Sequence, residues 1–211
     1  VFTTGACTMG AEIAGARLVL VPVGSVEQHG PHLPIDTDTV IAVAVAQGVA
    51  AELGAWVAPP ISYGSSGEHQ SYAGTSSVGT EALTHLAVEL TRSMRTWAER
   101  VVLVNAHGGN VAGLTASGEI EWVPCRTESV DLHAGFTETS LMLHLRPGSV
   151  RLDLAEAGNT RPLSEILPAM MAGGVAAVSP NGVLGDPAGA SAAEGERVLK
   201  AMVAEIVEAL S

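Results

Sequence analysis

Aromatic side chains are scarce in this chain: three Trp, two Tyr and two Phe make up 3% of 211 residues. Rings cannot fill the interior, yet 47% of the residues are hydrophobic. A core of Val, Leu, Ala and Ile suits a parallel sheet buried between layers of helices. Cysteine is nearly missing as well. Cys7 and Cys125 lack the C-x-x-C spacing of a zinc knuckle or a dithiol redox site. Two free thiols in a reducing compartment are expected. Basic residues are few, 10 Lys plus Arg against 22 Asp plus Glu, for a net charge of −12. With no Lys/Arg cluster, that balance argues against nucleic acid and anionic lipid as partners. It suits a soluble cytoplasmic enzyme that holds cations. No apolar run reaches the roughly 20 residues of a membrane span. The first residues lack the charged-then-apolar order of a secretory signal. There is no internal repeat, and the length fits one sizeable domain, residues 1–211.

What the chain does have is a crowded stretch at residues 23–38. It places Glu27, His29 and Asp38 between an apolar strand at 18–23 and an apolar helix at 39–53. Carboxylate and imidazole are ligand types of zinc, iron and manganese sites. Glu27 and His29 are two apart and so point the same way in an extended segment. Pro31 and Pro34 could turn Asp38 back onto them. The alternative for Asp38 is a helix cap. Loops at the carboxyl ends of strands are where open α/β sheets bind ligands.

Further loops repeat this placement. Gly54 should stop the first helix. A second strand at 55–61 leads into the polar loop 63–75, which carries Tyr63, Glu68 and His69. Glu68 and His69 read as substrate contacts or solvated residues before ligands. A helix is expected over 79–100, with Leu83, Ala87, Leu90, Met94 and Trp97 on one apolar face and His85 exposed. The strand 101–104 runs into Asn105-Ala106-His107-Gly108-Gly109-Asn110. There His107 is placed for a metal and Asn110 to cap a helix at 111–116. Residues 119–124 alternate as a half-buried strand, and Trp122 in it could hold substrate or simply pack. His133 and Glu138 open a helix that runs to Leu145, where the dipole alone would favour Glu138. A short helix at 163–171, a turn at 183–187 and an amphipathic helix at 188–210 complete the chain.

The motifs Glu27-Gln28-His29-Gly30-Pro31-His32-Leu33-Pro34 with Asp38, the stretch from Asn105 to Asn110, His133-Ala134-Gly135 with Glu138-Thr139-Ser140, and Gly185-Asp186-Pro187 resemble the signature of the creatininase family. The resemblance runs from about Leu18 to the C-terminus. It implies a three-layer α/β/α sandwich with a mostly parallel sheet, a homo-oligomer of six or more subunits, and two divalent metal ions, zinc, iron or manganese. Carried over by motif, Glu27 and His107 would bind one ion, His29 the other, and Asp38 would bridge them. In creatininase proper a glutamate stands two residues after the matching histidine. Here that place is Gly109, and Glu138 is the natural substitute on the second ion. His133 matches a position proposed for proton transfer.

Trp122-Val123-Pro124-Cys125 and Leu143-His144-Leu145-Arg146-Pro147 are most similar to a peptidase branch of that family. Its members trim a C-terminal Val-Tyr dipeptide from a modified precursor peptide. This implies a peptide substrate, contacted by Tyr63, His69 and Trp122, and a Gly108-Gly109 turn that leaves space for it. A small cyclic amide such as creatinine or a formamidopyrimidine is the alternative substrate. A non-enzymatic, metal-stabilised assembly subunit is the alternative role.

Overall fold

The computed structural model describes residues 13–116, 118–126 and 131–211. Cys7 falls outside them. Strand β1 spans Ala16–Val23 and helix α1 spans Thr37–Leu53. Strand β2 is Trp56–Val57 and helix α2 is Thr80–Met94. Strand β3 is Ala98–Asn105, followed by a 3-10 turn at Gly108–Asn110 and helix α3, Val111–Ala116. Strand β4 is Trp122–Pro124 and helix α4 is Phe136–Leu145. Helices α5, Leu163–Gly173, and α6, Ala192–Leu210, complete the described elements longer than one turn.

The strands form one sheet in the order β2-β1-β3-β4, and every pairing is parallel. Side chains alternate across a strand, so β1 feeds two cores. Val19, Val21 and Val23 pack on one face with Leu83 and Ala87 of α2 and Leu114 of α3. Leu20 packs on the other with Ile41, Val45 and Val49 of α1, Leu141 of α4, and Val198, Met202 and Ile206 of α6. This is the expected sandwich, with helices on both faces. It also explains why β1 and β3 read as continuous apolar runs.

Several boundaries differ from the sequence expectation. The helix expected over 79–100 ends at Met94, and β3 begins at Ala98. The backbone turns between, with the Trp97 N–H donating to Met94 O at 3.1 Å. Trp97 is therefore not on the helix, although it still packs, partly buried, against the core. The second strand shrinks to Trp56–Val57 plus an isolated bridge from Ile61 to Val23, because Pro59 and Pro60 have no N–H to donate. Helix α1 starts at Thr37, so Asp38 lies inside its first turn and does not cap it. Asn110 does not cap α3 either. It is fully buried, accepts the Ser65 N–H at 2.8 Å and donates to Gly24 O and Asn105 Oδ1, both at 3.0 Å. Helix α6 begins at Ala192, where the Ser191 hydroxyl caps it by accepting the Glu194 N–H at 3.2 Å. Gly54 ends α1 as expected, in the left-handed conformation at φ 66° that glycine adopts without strain. Among the described residues, no helix is long and apolar enough to cross a membrane.

Candidate metal centre

Three loops meet at the carboxyl ends of β1 and β3. The Ser76 N–H donates to Val26 O at 2.8 Å and the Gln28 N–H to Thr75 Oγ1 at 3.2 Å, which fastens the loop after β2 to the loop after β1. The segment before α4, itself bridged at His133 to Leu184, joins them through the His133 imidazole. Its Nε2 lies 2.8 Å from Gln28 O.

Glu27 is fully buried at the centre. Its Oε1 lies 3.4 Å from His69 Nε2 and 3.6 Å from His133 Nδ1, and its Oε2 lies 3.1 Å from His107 Nε2. Neither oxygen accepts a hydrogen bond from the described residues. Asp38, also buried, directs Oδ1 to His29 Nε2 at 3.2 Å and Oδ2 to His107 Nδ1 at 3.3 Å, while the Ser25 hydroxyl donates to Oδ2 at 2.6 Å. Glu138 enters from the first turn of α4 with Oε2 3.8 Å from His29 Nε2. The Ala134 N–H fixes that oxygen at 2.6 Å, and Ala134 takes φ 51°, an unusual conformation for a residue with a Cβ.

Three sets of side chains each bring their donor atoms within 4.8 Å of one another: Glu27 with Asp38 and His107, His29 with Asp38 and Glu138, and Glu27 with His29 and His133. The five residues expected as ligands thus converge, and His69 and His133 stand beside them. Tyr63 and Trp122 are placed differently. Tyr63 is 55% exposed, and Trp122 packs, partly buried, against the core under α2 and α3. Gln28 was not anticipated. Its amide nitrogen donates to Gly182 O at 3.0 Å and lies 2.8 Å from His69 Nδ1, so it orients that imidazole, while its backbone carbonyl stands 2.8 Å from His133 Nε2. Its place between Glu27 and His29 was the available signal.

Crowded charge moves the titrations. Burial raises Glu27 to about 7 despite the opposing pull of His107. Burial likewise raises Glu138 to about 7, against His29. Burial works against a charged His29, but Asp38, Glu138 and Glu27 outweigh it and lift its pKa to about 10. Asp38 is desolvated too, yet His29 and His107 hold it well below the usual carboxylate range. Burial and neighbouring imidazoles lower His69 to about 3 and His133 well below its ordinary value. Two carboxylates that retain protons near neutrality, among imidazoles, are groups that divalent cations would deprotonate and bind.

A family model described as creatininase, creatinine amidohydrolase, matches residues 7–210. The chain belongs to the creatininase family. A relative named mycofactocin precursor peptide peptidase, from Mycolicibacterium smegmatis, is 54% identical over 200 residues, covering 88% of this chain and 81% of its own. A solved structure titled "Creatininase Mn" superposes with a TM-score of 0.76 at 28% identity, covering 93% of this chain and 90% of that one. A zinc–zinc form of a creatininase variant does so with a TM-score of 0.76 at 27% identity, covering 92% and 90%. The chain therefore has the creatininase fold, and family and relatives support a hydrolase.

One expectation drawn from the family is corrected. The Gly108-Gly109 turn does not leave open space at both glycines. A Cβ on Gly108 would meet nothing within 4 Å, but one on Gly109 would collide with Ser65 O, Glu68 Oε1 and His107 Nε2. Ser65 and Glu68 of the loop after β2, with His107, occupy the room that a side chain on Gly109 would take.

Proposed function

We propose that this chain is a metal-dependent amide hydrolase, with two divalent ions per subunit, that removes the C-terminal Val-Tyr dipeptide from the modified mycofactocin precursor peptide. The observation that carries the reading is Glu27, a buried carboxylate that His107, His69 and His133 approach at 3.1, 3.4 and 3.6 Å without a hydrogen bond from the described residues reaching either oxygen. A buried carboxylate that accepts no hydrogen bond is costly unless a cation answers it. On this reading Glu27, Asp38 and His107 hold one ion, His29, Asp38 and Glu138 hold the other, and Asp38 is shared. Zinc, iron and manganese all suit these donors. The ions supply Lewis acidity that activates water and polarises the amide carbonyl.

The chain's own residues do the rest. His133, neutral at pH 7, donates from Nε2 to the Gln28 carbonyl and keeps Nδ1 free on the Glu27 side. There it can take a proton from attacking water and pass it to the leaving nitrogen. Glu138, anchored by the Ala134 N–H, is placed to orient that water as well as to ligate. His69, with Nε2 3.4 Å from Glu27 Oε1, is assigned to the substrate, whereas the placement of Tyr63 and Trp122 gives that role no support. The peptide substrate is supported by the name of the 54% identical relative. A homo-oligomer of six or more subunits belongs to the same reading. Leu163, Leu167 and Met171, exposed at successive turns of α5, offer it an apolar face.

The test is mass spectrometry of a precursor peptide ending in Val-Tyr after incubation with the protein, with chelator, and with zinc, manganese or ferrous iron restored. Metal-dependent release of the dipeptide is expected. No release with any metal overturns the substrate, and turnover of creatinine with the peptide inert would replace it.

A further inference from the structure

His107 has close polar neighbours at both ring nitrogens, most of them from the loop after β2. Nε2 faces Ser65 O at 3.0 Å, Glu27 Oε2 at 3.1 Å, Ser66 Oγ at 3.4 Å and Glu68 Oε1 at 3.5 Å. Of these atoms the Ser65 carbonyl can only accept and lies in hydrogen-bond geometry with the ring, so Nε2 carries a proton. Glu27 receives no hydrogen bond, so that proton is directed at the Ser65 carbonyl. Nδ1 stands 3.3 Å from Asp38 Oδ2 and, among the described residues, makes no hydrogen bond to it. The approach of Ser65 and Glu68 requires Gly109, since any Cβ there would collide with both and stand 2.5 Å from Nε2.

We propose that Glu68, with the Ser65 carbonyl, holds His107 as the Nε2–H tautomer across the room left by Gly109, so that Nδ1 is the nitrogen offered to a cation between Glu27 and Asp38. Glu68 is then a positioning residue and not a ligand. Its side chain is 28% exposed, at the edge of the cluster and outside the three converging donor sets. A carboxylate behind a ligating imidazole fixes ring orientation and raises ligand basicity, and losing such a partner typically weakens metal binding about 10- to 100-fold. The inference rests on the metal-hydrolase reading.

The experiment is long-range proton–nitrogen NMR on the full chain, labelled with nitrogen-15 at histidine and loaded with zinc, together with zinc affinity by chelator competition. The expected spectrum has His107 metal-bound at Nδ1 and protonated at Nε2. Glu68→Ala is expected to weaken zinc about 10-fold, and Glu68→Gln, which keeps an acceptor oxygen, to recover part of that loss. Zinc at Nε2 overturns the proposal, and so does Glu68→Ala binding within twofold of wild type. The spectrum needs no variant, so a misfolded mutant cannot leave the question open. Failure of the wild type to take up zinc, manganese or ferrous iron would instead sink the metal-hydrolase reading itself.

Discussion

Asp38 Oδ1 lies 3.2 Å from His29 Nε2, and both side chains are shut away from solvent. With the other Asp38 oxygen 3.3 Å from His107, one carboxylate connects the two donor sets. Asp38→Asn removes the shared charge and keeps the shape. Metal content measured by elemental analysis should fall from two ions per chain to one or none. Dipeptide release should drop by at least about 100-fold, more than the loss of an outer-sphere partner. Retention of both ions would refute the bridging role.

Metal affinity should depend on pH in a stated direction. Glu27 and Glu138 hold protons up to about 7 in the metal-free protein, and a cation must displace them. Competition titrations between pH 5.5 and 8 should show zinc binding strengthen with rising pH, with protons released on binding near pH 6. An affinity flat across that range would contradict the burial of these carboxylates.

Stability of the metal-free protein should run the other way. A group whose folded pKa is raised binds more protons folded than unfolded, and its contribution fades as pH climbs through the folded value. For Glu27 and Glu138 that fading runs from about 4.5 to about 7, and for His29 from about 6.5 to about 10. The lowered His69 and His133 oppose it, but only below about 6.5. Between pH 7 and 10 nothing in the cluster offsets His29. The melting temperature of the chelated protein should therefore fall over that window, and added zinc should restore it at pH 8. A melting temperature rising over that window would show that His29 does not gain its partners on folding.

Asn110 ties Ser65, Gly24 and Asn105 together from a fully buried position. Asn110→Ala leaves the Ser65 N–H and the Gly24 carbonyl without these bonds. It should destabilise the fold by about 1–3 kcal/mol per orphaned group, read by denaturant unfolding. A change below about 0.5 kcal/mol would mean that neighbouring groups replace it.

The layers and most of the centre were legible because each rests on a local signal. The runs at 18–23 and 101–104 are strands with both faces buried, and each ends in a loop whose polar residues contrast with it. Glu27, His29 and His107 stand on those loops, and Asp38 in the first turn of the helix that follows one of them. What could not be read depends on how separate segments approach each other. Trp97 continues the helical spacing of Leu90 and Met94, and only the pairing of Ala98 with Ala16 forces the chain out of helix before it. Asn110 looks like a cap because a helix follows it, but the meeting of Gly24 and Gly64 draws its side chain inward. Gly109 looks like vacant space, because nothing in its own segment announces that Ser65 and Glu68 fill it.

The strongest conflict between stability and binding sits at Glu27. Its raised pKa means that above about 7 the folded, metal-free protein carries a buried negative charge that its imidazole neighbours do not fully compensate. Glu27→Gln removes that charge at nearly constant volume. The metal-free variant should be more stable than metal-free wild type at pH 8, by on the order of 1 kcal/mol, and the difference should vanish near pH 5, where Glu27 is already protonated. The same variant should lose zinc from the Glu27–Asp38–His107 set and with it dipeptide release. Functional sites store unfavourable groups that the rest of the fold sustains. Parallel melts at pH 5 and pH 8, with and without zinc, separate the two effects. A variant less stable than wild type at pH 8 without metal would mean that the imidazoles alone already neutralise Glu27, and the case for a cation there would lose its main support.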